Sequence, residues 1–149
     1  MKKLIFLALI TVSIAATAAT DPASNVSFTV LNHFTAKFLK AQNVDWKVTD
    51  QFVKASFTLN GKEMNAFYNN DGELTAVTTK IDFDKLPQRA IMTIGLKYPY
   101  PPYKLVDCIE MKDAMQQLTK YVSLLTENEN IILQITPNGS VHEFKRMYL

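Results

Sequence analysis

Asn60-Gly61 constrains this chain more than any other pair of residues. A two-residue type I′ turn needs positive φ at both central positions, and Asn-Gly between alternating apolar residues is its strongest short-range signal. Such a turn fixes a register that the flanking residues themselves can test. It sets Val53 opposite Tyr68, Ala55 opposite Ala66 and Phe57 opposite Met64 on one face. On the other face it sets Ser56 opposite Asn65 and Thr58 opposite Glu63. Apolar meets apolar and polar meets polar, and a slip of one residue would destroy the match. Between Val53 and Thr58, Lys54 opposite Phe67 is the one mixed pair.

The neighbouring segments extend the pattern in both directions. Upstream, Trp46 and Val48 alternate with charged residues and read as a strand before a turn at Asp50-Gln51. Downstream, Asn69-Asn70-Asp71-Gly72 turns the chain into a strand from Glu73 to Ile81. Ahead of all these strands, Val26, Val30, Phe34 and Phe38 recur at helical spacing with Leu31 beside them. They predict a helix from about Asn25 to Ala41, capped by Ser24 or Asn25.

The order then repeats. Asp84 is placed to cap a second helix with Pro87 in its first turn, where a missing N–H costs nothing. Leu86, Ala90, Ile91, Ile94 and Tyr98 form its apolar stripe, and Pro99 stops it. Strands follow at Lys104 to Met111, Leu118 to Thr126, Ile131 to Thr136 and Val141 to Met147. A loop at Glu127 to Asn130 would pair Leu124 with Leu133 and Val122 with Ile135. The expected fold class is α+β, with two tandem helix-plus-antiparallel-strand units (α-ββββ-α-ββββ), covering about residues 25–81 and 84–147, and helices packed on one face of antiparallel sheet.

The first residues are read differently. Met1-Lys2-Lys3 is basic, Leu4 to Ala16 carries no charge, and Ala16-Thr17-Ala18 fits a small-x-small cleavage site. Residues 1–18 therefore read as a secretory signal peptide, and 19–149 as one mature domain made of the two similar halves. The apolar run is too short to span a bilayer comfortably, so no membrane span is expected. No cysteine follows it, so no lipid anchor is expected, and the reading is periplasmic or secreted. Removing Lys2 and Lys3 from 16 Lys+Arg leaves the mature chain balanced against 14 Asp+Glu. Balance of that kind argues against nucleic acid as a partner, which needs a surplus of phosphate-neutralising cations.

These segments resemble the PepSY-like, beta-lactamase-inhibitor-like domain of exported Bacteroidetes-type proteins. The resemblance rests on the stripe Val26, Val30, Phe34, Lys37-Phe38, on Asn43-Val44-Asp45-Trp46, and on Phe57-Thr58-Leu59-Asn60-Gly61-Lys62-Glu63. In the second half it rests on Leu86-Pro87, Ala90-Ile91, Lys97-Tyr98-Pro99 and Tyr103-Lys104-Leu105. It implies antiparallel strands in one sheet, or in two abutting sheets, with the helices packed on one face, no enzymatic activity, and a protein-binding surface. Two departures stand out. Phe38-Leu39-Lys40 replaces the family's usual Phe-Pro-Gly, which predicts a longer first helix. Tyr98-Pro99-Tyr100-Pro101-Pro102-Tyr103 replaces its Tyr-Pro-Gly and is richer in aromatic residues.

Reactive constellations are sparse. Cys108 is the only cysteine and His33 and His142 the only histidines, with no spacing that suits a metal. Cys108, in a strand, reads as a small packed hydrophobe. Asn69-Asn70-Asp71-Gly72 lacks the ligand positions of a calcium loop and reads as a turn. No catalytic residue, cofactor or metal site is expected. The candidate partner-binding residues are Tyr98, Tyr100, Tyr103 and Trp46, since prolines restrict the first three and large aromatic residues give contact area at low entropy cost. The expected function is a non-enzymatic protein-binding module, inhibitor-like, whose partner is an unidentified envelope or extracellular protein. The alternative is a carrier of a small apolar or envelope-derived ligand in a cavity between helices and sheet.

Overall fold

The computed structural model describes residues 25–149, so the signal-peptide reading lies outside the described residues. A ten-residue helix, α1 (Phe28–Lys37), leads into four strands: β1 (Gln42–Val48), β2 (Val53–Leu59), β3 (Lys62–Tyr68) and β4 (Leu74–Lys80). A short 3₁₀ turn at Phe83–Lys85 precedes α2 (Gln88–Lys97). Four more strands complete the chain: β5 (Lys104–Asp113), β6 (Leu118–Leu125), β7 (Glu129–Ile135) and β8 (Val141–Tyr148).

The strands do not divide into two tandem units, which corrects the fold expected from the sequence. All eight join in one antiparallel sheet in the order β1-β2-β3-β4-β5-β6-β7-β8, accompanied among the described residues by only two short α-helices. The junction is made by β4 and β5, which pair from Ala76 opposite Asp113 to Lys80 opposite Ile109. That pairing satisfies two strand edges which separate units would leave open, and open edges invite unwanted pairing.

The β2–β3 hairpin has the register that the Asn60-Gly61 turn requires, from Val53↔Tyr68 to Leu59↔Lys62. Both turn residues have positive φ, 52° at Asn60 and 74° at Gly61. The β6–β7 hairpin differs from its expected register. Leu124 meets Ile131 and Val122 meets Leu133, because the turn closes one residue earlier. Thr126 causes this: its N–H donates to the Glu129 carbonyl, while its Oγ1 accepts from the N–H groups of Asn128 and Glu129. The shift moves each partner by two residues and so keeps every side chain on its face.

Both helices also differ in detail. Ser27, not Ser24 or Asn25, caps α1, its Oγ accepting from the Val30 N–H at 3.4 Å. The helix ends at Lys37, without the extension that the loss of Pro-Gly suggested, because Lys40 itself adopts φ +70° and turns the chain. Asp84 lies in the 3₁₀ turn and does not cap α2, whose N-cap is Pro87.

Register places two apolar clusters on the helix-bearing side of the sheet. Under α1, Val30, Phe34 and Phe38 pack with Trp46, Ala55, Phe57 and Tyr68. Under α2, Ala90 and Ile94 pack with Cys108, Val122, Leu124 and Leu133. A third cluster occupies the opposite side and is built from sheet residues and the turn residue Phe52, with Phe67, Ala76, Met111, Tyr121 and Ile132 at its centre. No helix belongs to it, yet Phe67 is only 2% exposed. The cover comes from neighbouring side chains of the same cluster, among them Phe52, whose ring lies 6.1 Å from that of Phe67.

Candidate functional site

The Tyr-Pro segment links α2 to β5 and is held at both ends. Tyr98 caps the C-terminus of α2 through its N–H to the Ile94 carbonyl at 2.8 Å. Tyr103 immediately precedes β5. Their rings meet edge to face at 5.3 Å and 88°, and both pack against the cluster under α2. Burial pushes the Tyr98 hydroxyl above its ordinary pKa, with the nearby Glu143 carboxylate adding to the effect. Between these anchors Tyr100 is 77% exposed. The segment thus presents one free aromatic ring on a backbone whose ends are fixed.

Two further features surround it. Pro101, Pro102, Tyr103 and Lys104 form one wall of an open cleft of about 600 Å³, and Leu125 to Glu129 form the other. On the last strand, Arg146 reaches Glu129 and Glu143 together, at 2.6 and 2.7 Å. The guanidinium contacts Glu143 through both Nε and Nη2, a fork geometry that fixes orientation as well as charge. That contact holds the Glu143 carboxyl below its usual range.

Trp46 stands apart from the three tyrosines. It lies on the edge strand β1, four strands away from β5, 8% exposed, with its ring 5.0 Å from that of Phe34. Its place is the core beneath α1. The space between α1 and the sheet is filled by Phe34, Phe38, Trp46 and Phe57, whose rings meet at 4.8 to 5.1 Å.

The groups with reactive chemistry are tied into structure. Cys108 is 3% exposed, and burial pushes its thiol up to about 12, so the nucleophilic thiolate is disfavoured. His33 lies on α1 with Nδ1 3.1 Å from the Tyr68 hydroxyl. Asn69 spends its side chain on its own turn, accepting from the Glu73 N–H at 2.8 Å and donating to the Glu73 carboxylate at 3.0 Å. Among the described residues, no three of His, Cys, Asp and Glu converge as a metal site would require.

One feature of the helix-free face carried a signal in the sequence that pointed to no function. The mixed pair Lys54 and Phe67 lies there, and β1 adds Lys47 directly opposite Lys54.

No family profile matches the chain, and no curated protein sequence does. Its fold is nevertheless shared. A DUF2874 family protein from Bacteroides uniformis superposes with a TM-score of 0.69 over 83% of this chain and 89% of its own, at 13% identity. A BLIP-like protein from Bacteroides fragilis gives a TM-score of 0.67 over 87% and 94%, also at 13% identity. A DUF2874 family protein from Bacteroides ovatus gives 0.66 over 88% and 89%, at 21% identity. The fold of the chain is therefore BLIP-like. None of these names denotes an enzyme.

Proposed function

We propose that this is an exported, non-enzymatic binding module, inhibitor-like in its mode of action, that contacts a protein of the envelope or extracellular space through the Tyr98–Tyr103 segment. One observation carries the reading: Tyr100 is exposed on a segment whose two ends, Tyr98 and Tyr103, are anchored. A ring held ready on a restricted backbone loses little freedom on binding, and exposed aromatic residues are a frequent type of interface hot spot. Supporting arguments come from the leader-like start Met1 to Ala18, from the BLIP-like fold, and from the burial of Cys108. The PepSY-like part of the resemblance rests on the sequence motifs alone. No helix among the described residues is long and apolar enough to cross a membrane.

The test is affinity capture from envelope extract, comparing the mature protein with Tyr100→Ala. Loss of a specifically retained protein, with folding unchanged, supports the reading. Equal capture by both baits removes the segment from the contact surface.

A further inference from the structure

Lys47 of β1 and Lys54 of β2 are directly opposed in the sheet. Their sequence neighbours Trp46 and Ala55 belong to the cluster under α1, so alternation sends both lysines to the helix-free face. Directly opposed side chains have Cβ atoms roughly 4.5–5.5 Å apart, and like charges there are destabilising. Lys47 is exposed, but Lys54 is half-buried and also faces Phe67 across the β2–β3 pair. Burial lowers the Lys54 pKa, Lys47 lowers it further, and Asp45 on the same face opposes them. Among the described residues, neither lysine lies within ion-pair distance of a carboxylate; the five ion pairs lie elsewhere.

The surroundings restrict what could answer this charge. Toward one end of the strands lies Phe52, whose ring meets that of Phe67 edge to face at 6.1 Å. Toward the other, Ser56, Asn65 and Thr78 are joined by hydrogen bonds of 2.8 and 3.1 Å, which occupy their side chains with one another. The two ammonium groups are therefore left between an apolar patch and a polar row, whose one carboxylate, Asp45 opposite Ser56, stands beyond ion-pair distance of both. A half-buried cation opposite a second cation is maintained against desolvation and repulsion together. A carboxylate placed between them would oppose both penalties at once.

We propose that Lys47 and Lys54 form a recognition site for an acidic side chain of a partner polypeptide, received on the helix-free face at the β1–β3 end of the sheet. Charge complementarity selects Asp or Glu, and Phe52 and Phe67 alongside favour a carboxylate flanked by apolar residues. The site does not depend on the Tyr98–Tyr103 segment, which lies beyond β4 along the sheet. The two proposals therefore fail independently.

The experiment follows backbone amide spectra of the mature protein with three probes: the peptide acetyl-Ala-Phe-Glu-Phe-Ala-amide, its Gln counterpart, and sodium acetate. The expected result is a saturable, salt-sensitive shift at β1 and β2 with the Glu peptide and at least tenfold weaker effects with the other two. Lys54→Met should weaken the Glu peptide at least tenfold while raising the thermal midpoint. Lys47→Met, at an exposed position, should do the same if Lys54→Met folds poorly. Lys62→Met at the hairpin end should change neither. Equal binding of the Gln peptide, unchanged binding by both site variants, or a midpoint lowered by Lys47→Met would overturn the proposal. Acetate binding as tight as the Glu peptide would overturn a polypeptide in favour of a free carboxylate.

Discussion

A Cβ built on Gly72 would lie 3.2 Å from Cγ2 of Thr29, because the β3–β4 turn runs directly beneath the first turn of α1. Gly72 also has φ +84°. The same arrangement occurs at the β7–β8 turn, where a Cβ on Gly139 would lie 3.1 Å from Cβ atoms of both Pro87 and Arg89 at the start of α2. Each helix is thus seated on a glycine turn.

Substituting these glycines should therefore cost more than backbone strain alone. Gly61 provides the comparison, since it has positive φ but open space around it. Gly61→Ala should destabilise by roughly 1–2 kcal/mol, the cost of the left-handed conformation. Gly61→Val should cost roughly 1–3 kcal/mol, since a β-branched residue resists positive φ. Gly72→Ala and Gly139→Ala should exceed Gly61→Ala, because a neighbouring helix must also shift. Denaturant titration of the three alanine variants reads the order directly, and equal losses would show that the close approach is harmlessly relaxed.

The aromatic cluster beneath α1 makes a second prediction. Phe34 contacts Phe38, Trp46 and Phe57, at ring separations of 5.0 to 5.1 Å. Trp46→Ala should destabilise by about 3–5 kcal/mol, the usual loss for a large buried aromatic residue. In the native protein the Trp46 emission should be blue-shifted and should move to longer wavelength in one transition with denaturant. A red-shifted native spectrum would place the ring in water instead.

How much of this was readable from sequence depended on how local each determinant is. The β2–β3 register was legible because two turn residues impose it and five like-with-like pairs beside them report it. In β6–β7 the turn residues Glu127 and Asn128 are less restrictive, and the decisive Thr126 hydrogen bonds could not be distinguished from a turn one residue later. The β4–β5 pairing has no local signal at all, since α2 and the Tyr-Pro segment intervene between the strands. For that reason two units were expected where one sheet forms. Within the candidate site, Tyr100 was identifiable as a residue that neither the helix period nor the strand alternation required to be buried. Trp46 obeyed the alternation of β1, which fits core and contact equally, and only packing against Phe34 distinguishes them. The opposed lysines carry no comparable signal, because the turn between Val48 and Val53 that sets their register lacks a glycine.

The proposed export gives a third prediction. Ala16-Thr17-Ala18 and Thr17-Ala18-Ala19 both fit the small-x-small requirement, so the processed chain should begin at Ala19 or Thr20. Intact-mass measurement on protein recovered from the envelope or medium checks this. Recovery of chains that retain Met1 there would refute it.

The last prediction concerns Cys108. Its thiol is pushed up to about 12 chiefly by burial, with Asp107 adding to the effect. In the unfolded chain the thiol ionises near its ordinary value of roughly 8.5. The sign follows from proton binding: between these two values the folded chain keeps a proton that the unfolded chain has released. Stability from this group is therefore complete below about pH 8 and is lost progressively as pH rises toward 12. Tyr68, raised to about 12 by burial, contributes in the same direction at the upper end of that window. Denaturation midpoints should accordingly be level through neutral pH and decline in alkali, with a shallower decline from about pH 8.5 to 10 in Cys108→Ala. At pH 8 the native thiol should react with a disulfide reagent orders of magnitude more slowly than the thiol of the denatured chain. Comparable native and denatured rates would show that Cys108 is accessible, and would reopen a thiol-based activity for this protein.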